Sequence, residues 1–461
     1  MLCVSTAGLA ALMLWCALVG LAAGEVREGL GFLAIAVPVA TLSLTVILLT
    51  DPPQAKARAR DGLAFAILLW LVFGAIGSLP FLAAVPEASM LDALYESVSS
   101  LTTTGHSLLF QDGAQLSATM LMWRVVLHLV GTGMSIVIAA SVFAAINLGG
   151  PGVHRTRFYA DTGQSFFSTL PSLVRIVASL ILGSSALLIA ILLAWGVPPR
   201  EALAGAVSAI STGIVDPSAN LIPPSGGPVH SLFLSGGLFV GTFGLLLLDR
   251  GRGRHVTSRL LDPEVQLWAM LIGFVTLLAL TAGLPLLESL AWATTSLATS
   301  GMALGETTSH HRLPLVLVLF PALIGGSALS AAGGIKLARL FVLLRRVVQE
   351  FVQLGYRGSV QHFSYRGLRQ SEKTVMGVWV YLVGYVVACT IGTLLFSLTG
   401  LLFDDAIKAA IGTLSNAGHL LSDLPENVSE MAKLMAIPGM LLGRLEVIAL
   451  LPALSLNFWQ K

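Results

Sequence analysis

The amino-acid sequence predicts an all-α membrane protein of ten transmembrane helices, two at the N-terminus followed by four related helix–loop–helix units around one central pore. Three observations predict it. Of 461 residues, 55% are hydrophobic and only 11% charged, where a soluble domain has about a quarter charged. Apolar runs of about twenty residues, long enough to cross a hydrocarbon core of roughly 30 Å, recur from the first residues to the last. Between four pairs of these runs lie semi-polar stretches too short to cross, each closing on a glycine.

Run length and helix breakers place the spans near 3–24, 30–50, 62–84, 118–147, 172–196, 229–249, 264–284, 313–347, 374–400 and 430–457. The units then divide as 1–50 for the two leading helices, and 51–150, 151–255, 256–350 and 351–461 for the four repeats. The first run, 2–23, ends in small residues as a signal peptide would, but it lacks a basic start and is long for one, so it is expected to stay as a span. Segment 313–347 exceeds one crossing and is interrupted by Gly325, Gly326, Gly333 and Gly334, which predicts a broken helix. Cys3, Cys16 and Cys389 sit inside apolar runs without paired spacing and read as packing residues.

Basic residues collect in short cytoplasmic loops. Lys56, Arg58 and Arg60 follow span two; His154, Arg155 and Arg157 follow span four; Arg250, Arg252, Arg254 and Arg259 follow span six. Arg345, Arg346, Arg357, Arg366, Arg369 and Lys373 follow the broken helix. Both termini are therefore expected on the cytoplasmic side.

The four short stretches, 91–105, 201–213, 287–301 and 403–418, share an acidic first turn, then small and hydroxyl residues, then glycine, and so form an internal repeat. Asp92, Glu201, Glu288 and Asp404 suit helix N-termini, where the dipole is positive and N–H groups lack partners. The C-terminal ends then aim partial negative charge at one point. Irregular backbone inside a membrane survives only where it lines a water- or ion-filled path. A dehydrated cation can satisfy such carbonyls, and glycine permits the positive φ that turns them the same way. No His-Glu metal motif or nucleophile elbow is present, which argues against an intramembrane enzyme. His310 and His311, with His230, make a poor metal set because adjacent histidines rarely converge on one ion.

Those loops resemble the Trk/Ktr superfamily of potassium transporters, and ten spans resemble its TrkH-type membrane subunit. Met122-Trp123-Arg124 with Gly131-Thr132-Gly133-Met134 is similar to the family's motif opening the first M2 helix. Segment 324–336 is similar to the intramembrane loop that breaks the third M2, and 439–446, with Gly439, Arg444 and Glu446, to the basic motif of the last. The resemblance implies four M1–pore-loop–M2 units and K+ as the transported ion. It also implies a homodimer and a cytoplasmic TrkA-like regulatory subunit that carries the nucleotide (ATP/ADP or NAD), with none on this chain. It places the cation filter at Thr103, Thr104 and Gly105; Ser211, Thr212 and Gly213; Thr299, Ser300 and Gly301; Asn416, Ala417 and Gly418. His106 and His419 follow two filter glycines where relatives carry small or apolar residues, and Thr132 stands where a glycine is usual.

Arg444 lies inside an apolar span, where a cation costs at least ~2.5 kcal/mol, so a gate role is expected: raising the barrier below the filter or donating to the intramembrane loop. Pairing with Glu446 or with a carboxylate of another chain is the alternative, although residues two apart on a helix do not face each other. Gly325, Gly326, Gly333 and Gly334 make that loop a plausible hinge, and Lys336 either bonds it or snorkels beside Arg339. His106 and His419 read either as cations at the outer mouth near pH 6.5 or as neutral braces. The filter departures leave two alternative functions: a less selective Na+/K+ or proton-linked transporter, and a non-conducting scaffold for a regulator.

Overall fold

A computed structural model describes residues 1–50, 59–110, 116–143, 166–217, 227–248, 262–302, 304, 313–356, 364–365, 368–369, 372–422, 424 and 428–446. Two leading helices, α1 (Leu2–Ala22) and α2 (Val26–Leu49), precede the repeats. The first unit is α3 (Ala59–Ala84), α4 (Met90–Leu101) and α5 (Ala118–Ile138), whose last turn continues as a π-helix, Ala139–Phe143. The second is α6 (Phe166–Ala194), α7 (Pro199–Ser211) and α8 (Gly227–Phe243), ending in a 3-10 turn, Gly244–Leu248. The third is α9 (Pro263–Thr281), α10 (Leu286–Leu297), α11 (Leu315–Ile324) and α12 (Leu337–Gly355). A two-residue antiparallel hairpin, Ser364–Tyr365 with Leu368–Arg369, leads to the fourth: α13 (Glu372–Leu398), α14 (Phe403–Leu414) and α15 (Glu430–Leu445).

Among the described residues, eight helices are long and apolar enough to cross a membrane: α1, α2, α3, α5, α6, α8, α9 and α13. The two expected spans that are not among them have separate reasons. Segment 313–347 is broken as its glycines suggest: α11 stops at Ile324, Gly325 takes φ 73°, and helix resumes only at Leu337. Beyond the break α12 is amphipathic, burying Leu337, Ala338, Val342 and Leu343 and exposing Leu344, Val348, Phe351 and Leu354. For 430–457, α15 ends at Leu445 and the remainder lies outside the described residues. So do Lys56, Arg58, His154, Arg155, Arg157, Arg250, Arg252, Arg254, Arg259, His310, His311, Arg357 and Arg366.

The short helices α4, α7, α10 and α14 begin as their acidic turns require. Ser89 and Asp92 form a capping box on α4, Pro199 opens α7 two residues before Glu201, and Glu288, Asp404 and Asp405 occupy the first turns of α10 and α14. Their C-terminal ends are held by the following long helix through close backbone approach. A Cβ on Gly131 of α5 would collide with the Leu101 carbonyl, one on Gly241 of α8 would lie 2.6 Å from Ile210 O, and one on Gly443 of α15 would lie 2.6 Å from Leu414 O. In the third unit the intramembrane loop takes that place. The leading pair is tied to the first unit by Glu25, which accepts from the N–H groups of Ala118 and Thr119 at 2.8 Å each.

Candidate functional site

The four short helices stop at the same backbone event. Thr103, Thr212, Thr299 and Asn416 take φ of 52°, 55°, 57° and 50°, left-handed values that a β-branched residue adopts only when its surroundings impose them. Asp92, Glu201, Glu288 and Asp405 sit at one common offset before these residues, so the repeat's acid in the fourth unit is Asp405, one residue after Asp404. The second loop is shifted by one against the glycines: Ser211 stands with Thr102, and Thr212 with Thr103. The N–H groups of Gly213, Ser300 and Ala417 donate to Ser208, Thr295 and Gly412 at 3.2, 3.0 and 2.8 Å with the same spacing. Gly213 is thus the counterpart of Thr104, Ser300 and Ala417, and Ile214 takes the place of Gly105, Gly301 and Gly418.

The loops meet one another. A Cβ on Gly105 would strike the Ile214 backbone, one on Gly213 the Thr103 carbonyl, one on Gly418 the Thr104 carbonyl, and one on Gly301 the His419 ring. Loop three closes on unit two, where Ala298, Met302 and Leu304 pack with Leu188, Ala202 and Leu234. The four expected loops therefore meet, with one correction: the register shift puts Ser211 with Thr102, beside His128, and brings Ile214 to the place of the third filter residue. Their side chains mostly face the scaffold. Thr103 Oγ1 accepts from Arg444, Thr299 Oγ1 accepts from Gly333 N–H at 3.0 Å, and Asn416 Nδ2 donates to Met440 O at 2.9 Å and Thr104 Oγ1 at 3.2 Å. What remains is backbone: the carbonyls of Thr103, Thr104, Thr212, Gly213, Thr299, Ser300 and Asn416 accept no hydrogen bond from a described residue.

One step further on, carbonyls are taken by protein. Arg124 is fully buried and ion-paired with Glu96, also fully buried. Its guanidinium donates to Gly105 O at 3.1 Å, Ile214 O at 3.2 Å and Val215 O at 2.6 Å, so one side chain joins loops one and two. Glu96 also accepts from Leu108 N–H at 3.2 Å. His106 is buried with Nδ1 2.7 Å from Tyr95 Oη, and its carbonyl accepts from Ser99 Oγ at 2.5 Å. His419 is buried edge-on to Trp292, with ring centroids 5.9 Å apart. Neither histidine is exposed: His106 is bonded to Tyr95 and Ser99, and His419 packs between Trp292 and Gly301.

Below the loops lies the break in the third unit. Its residues Ser327 to Ala332 are all at most 3% exposed. Ser327 N–H donates to Thr242 O at 3.0 Å, and Leu245 N–H to Leu329 O at 3.2 Å, which docks it on unit two. Gly333 bonds Thr299 of unit three and abuts Ser415 of unit four. Arg444 Nε donates to Thr102 O at 2.6 Å while Nη1 donates to Ala331 O, joining the break to unit one. The break therefore touches units two, three and four directly and reaches unit one through Arg444. Lys336 donates to Ala332 O and, at 3.5 Å, to Ser330 O, so it bonds the loop rather than snorkelling. Glu446 pairs with Arg339 at 2.5 Å, not with Arg444, and Arg339 also stacks over Tyr381 at 3.8 Å.

Sequence reasoning missed Glu96, Tyr95, His128, Tyr385 and Lys433. His128 is fully buried with Nδ1 3.3 Å from Ser211 Oγ. Tyr385 Oη lies 2.7 Å from Ser415 Oγ, and Lys433 pairs with Asp92 at 2.6 Å. Glu96 alone carried a signal, a carboxylate within an otherwise small and hydroxyl-rich stretch that calls for a cation.

Comparison with known proteins gives this arrangement its family. The sequence matches the family model of the TrkH cation transport proteins over residues 34–211 and 255–459. It is 30% identical over 437 residues to the Trk system potassium uptake protein TrkH of Vibrio parahaemolyticus, covering 88% of this chain and 87% of that one. It is 28% identical over 434 residues to its namesake in Escherichia coli K12, covering 88% of each. The crystal structure of the potassium transporter TrkH from Vibrio parahaemolyticus superposes with a TM-score of 0.82 at 26% identity, over 99% of this chain and 98% of that one. These relatives are transporters and not enzymes. A membrane protein built on these helices and loops, and matched over most of its length, the chain belongs to the TrkH cation transport protein family.

Proposed function

We propose that this chain takes up potassium across the bacterial cytoplasmic membrane through a filter of backbone carbonyls at Thr103–Thr104, Thr212–Gly213, Thr299–Ser300 and Asn416, on loops that continue into Gly105, Ile214, Gly301 and Ala417–Gly418. The observation that carries it is the set of seven loop carbonyls without a protein donor at the meeting point of four helix C-termini. A buried carbonyl left unpaired is costly, and a dehydrated cation repays that cost. Relatives named as potassium uptake proteins support the choice of ion.

The break between Gly325 and Lys336 serves as the gate, held shut by Arg444 and Lys336. Arg444 also places a positive charge at the base of the filter, which raises the barrier for an entering cation. His106 and His419 brace the loops rather than sense pH. The working assembly is a homodimer of ten-span chains with both termini cytoplasmic, controlled by a TrkA-like subunit that binds the nucleotide. Rubidium flux into vesicles holding the purified chain tests the core of this reading. Flux that potassium competes out, and that Gly105→Val abolishes, is expected; no flux with any regulator state would favour the scaffold role instead.

A second reading keeps the pathway but relaxes its selectivity to sodium and potassium. Ile214 in the register of three glycines favours it, because it does not take the positive φ of Gly105 and Gly301. Permeability ratios decide: a sodium-to-potassium ratio near unity supports this reading and removes strict selectivity.

A further inference from the structure

We propose that the groove between α1, α3, α5 and α6 is a binding site for one acyl chain of an anionic membrane phospholipid. The groove encloses about 480 Å³, within the range of small-ligand cavities, and its walls are apolar: Leu9, Phe65, Phe73, Val130, Met134 and Ile181 among them. Every helix that lines it is long and apolar enough to cross the membrane, so the medium at its opening is hydrocarbon.

On three of its walls the depth is about one leaflet. The lining runs from Ser5 to Leu12 on α1, Phe65 to Phe73 on α3 and Leu170 to Leu182 on α6, about 10–20 Å at 1.5 Å per residue, and along the back wall from Val126 on α5 to Val142 in its π-helical turn, about 24 Å, against about 15 Å for half a hydrocarbon core. Those three stretches begin near the helix ends on one membrane face, the face from which α1 starts. Leu12, Val174 and Leu182 at the rim are exposed, which leaves a lateral entrance from the bilayer. Charge supplies the class of lipid. Arg175 is exposed on α6 beside the lining residue Val174, and a long cationic side chain there reaches out to a phosphate at the interface.

The deepest wall is α5, and it has two faces. Arg124, His128 and Gly131 meet the pore loops, while Val126, Leu129, Val130 and Gly133 face the groove. The π-helix at Ala139–Phe143 brings Ser141 and Val142 to the same groove; such insertions collect at functional sites. A seated chain would therefore back the helix that braces the filter.

The test uses the full chain in nanodiscs containing phosphatidylglycerol with a photoactivatable diazirine in the acyl chain, followed by peptide mapping. Label is expected to concentrate on the groove segments of α1, α5 and α6. Gly8 and Gly133 line the groove with room for a side chain: a Cβ on Gly8 meets nothing within 4 Å, and one on Gly133 meets only Ile181 Cδ1 at 3.9 Å. Gly8→Leu and Gly133→Leu, each made separately, should cut groove labelling about tenfold while labelling of α2 and α13 persists and the protein elutes as before. Arg175→Gln should remove the advantage of phosphatidylglycerol over a phosphatidylcholine probe of the same chain. Uniform labelling of all lipid-facing helices, labelling unchanged in both filled variants, or crosslinking of the groove to a second protein chain would each overturn the proposal.

Discussion

The first and third pore loops make the same turn, at Thr103 with φ 52° and Thr299 with φ 57°, but different parts of the molecule hold them. Loop one is gripped by buried charge: Arg124 on the Gly105 carbonyl, Glu96 on Leu108 N–H, Arg444 on Thr102 and Thr103, Tyr95 on His106. Loop three has no such cation among the described residues. It leans on the intramembrane break through one bond from Gly333 to Thr299, and on His419 beside Gly301. Buried ionic bonds are strong and fix one geometry, whereas a single neutral bond to a glycine-bounded segment is weak enough to exchange. In the proposed pathway this makes one side of the filter rigid and leaves the other side to follow the proposed gate.

Breaking the rigid side should have the largest effect. Arg124→Gln leaves Glu96 buried without its cation, a loss on the order of 3–5 kcal/mol, and frees three carbonyls on two loops. Poor yield and a lowered melting temperature are expected. The double change Arg124→Met with Glu96→Leu removes both charges and should recover much of the yield without recovering potassium over sodium in flux assays. Recovery of selectivity as well would show that the pair serves folding alone.

Arg444 bridges the two sides, since it holds Thr102 of loop one and Ala331 of the break together. Arg444→Gln gives up charge-assisted bonds of about 1.5–3 kcal/mol each. Rubidium uptake without a regulator should rise about tenfold if one such bond separates closed from open. A fall in uptake with an intact fold would mean that Arg444 supports the filter and does not hold the gate.

How far the sequence reached depended on whether a contact is local. Apolar runs, acid-to-glycine repeats and the glycines of the break are patterns within one segment, and they mark eight apolar helices, the four short helices and the stop at Ile324. The family resemblance drew attention to Arg124 and Arg444, but not to their partners. Thr102 and Ala331 lie far along the chain from Arg444, and only packing of different units chooses them. The register of loop two misled for a related reason. Glycine marks where positive φ is cheap, and Gly105 and Gly301 take it at 78° and 63°, but the turn all four loops share is at Thr103, Thr212, Thr299 and Asn416, so aligning on glycine slips the second loop by one. The side chain of Asn416, expected in the filter, ties loop four to α15 and loop one.

The smallest effects test whether side chains or carbonyls form the path. Thr299→Val removes the acceptor for Gly333 N–H and should cost about 1 kcal/mol of loop attachment, read as a severalfold rise in uptake with selectivity loosened. Thr103→Val removes the acceptor for one Arg444 bond, but Arg444 keeps Thr102 and Ala331, so a smaller rise is expected. Thr212 is the control, because its hydroxyl is buried and bonds no described residue. With the same left-handed turn and the same bulk, Thr212→Val should leave uptake and ion preference nearly unchanged. If it instead collapses potassium preference, that hydroxyl faces the ion, and coordination by backbone alone is wrong for the second loop, the one in which Ile214 already replaces a glycine.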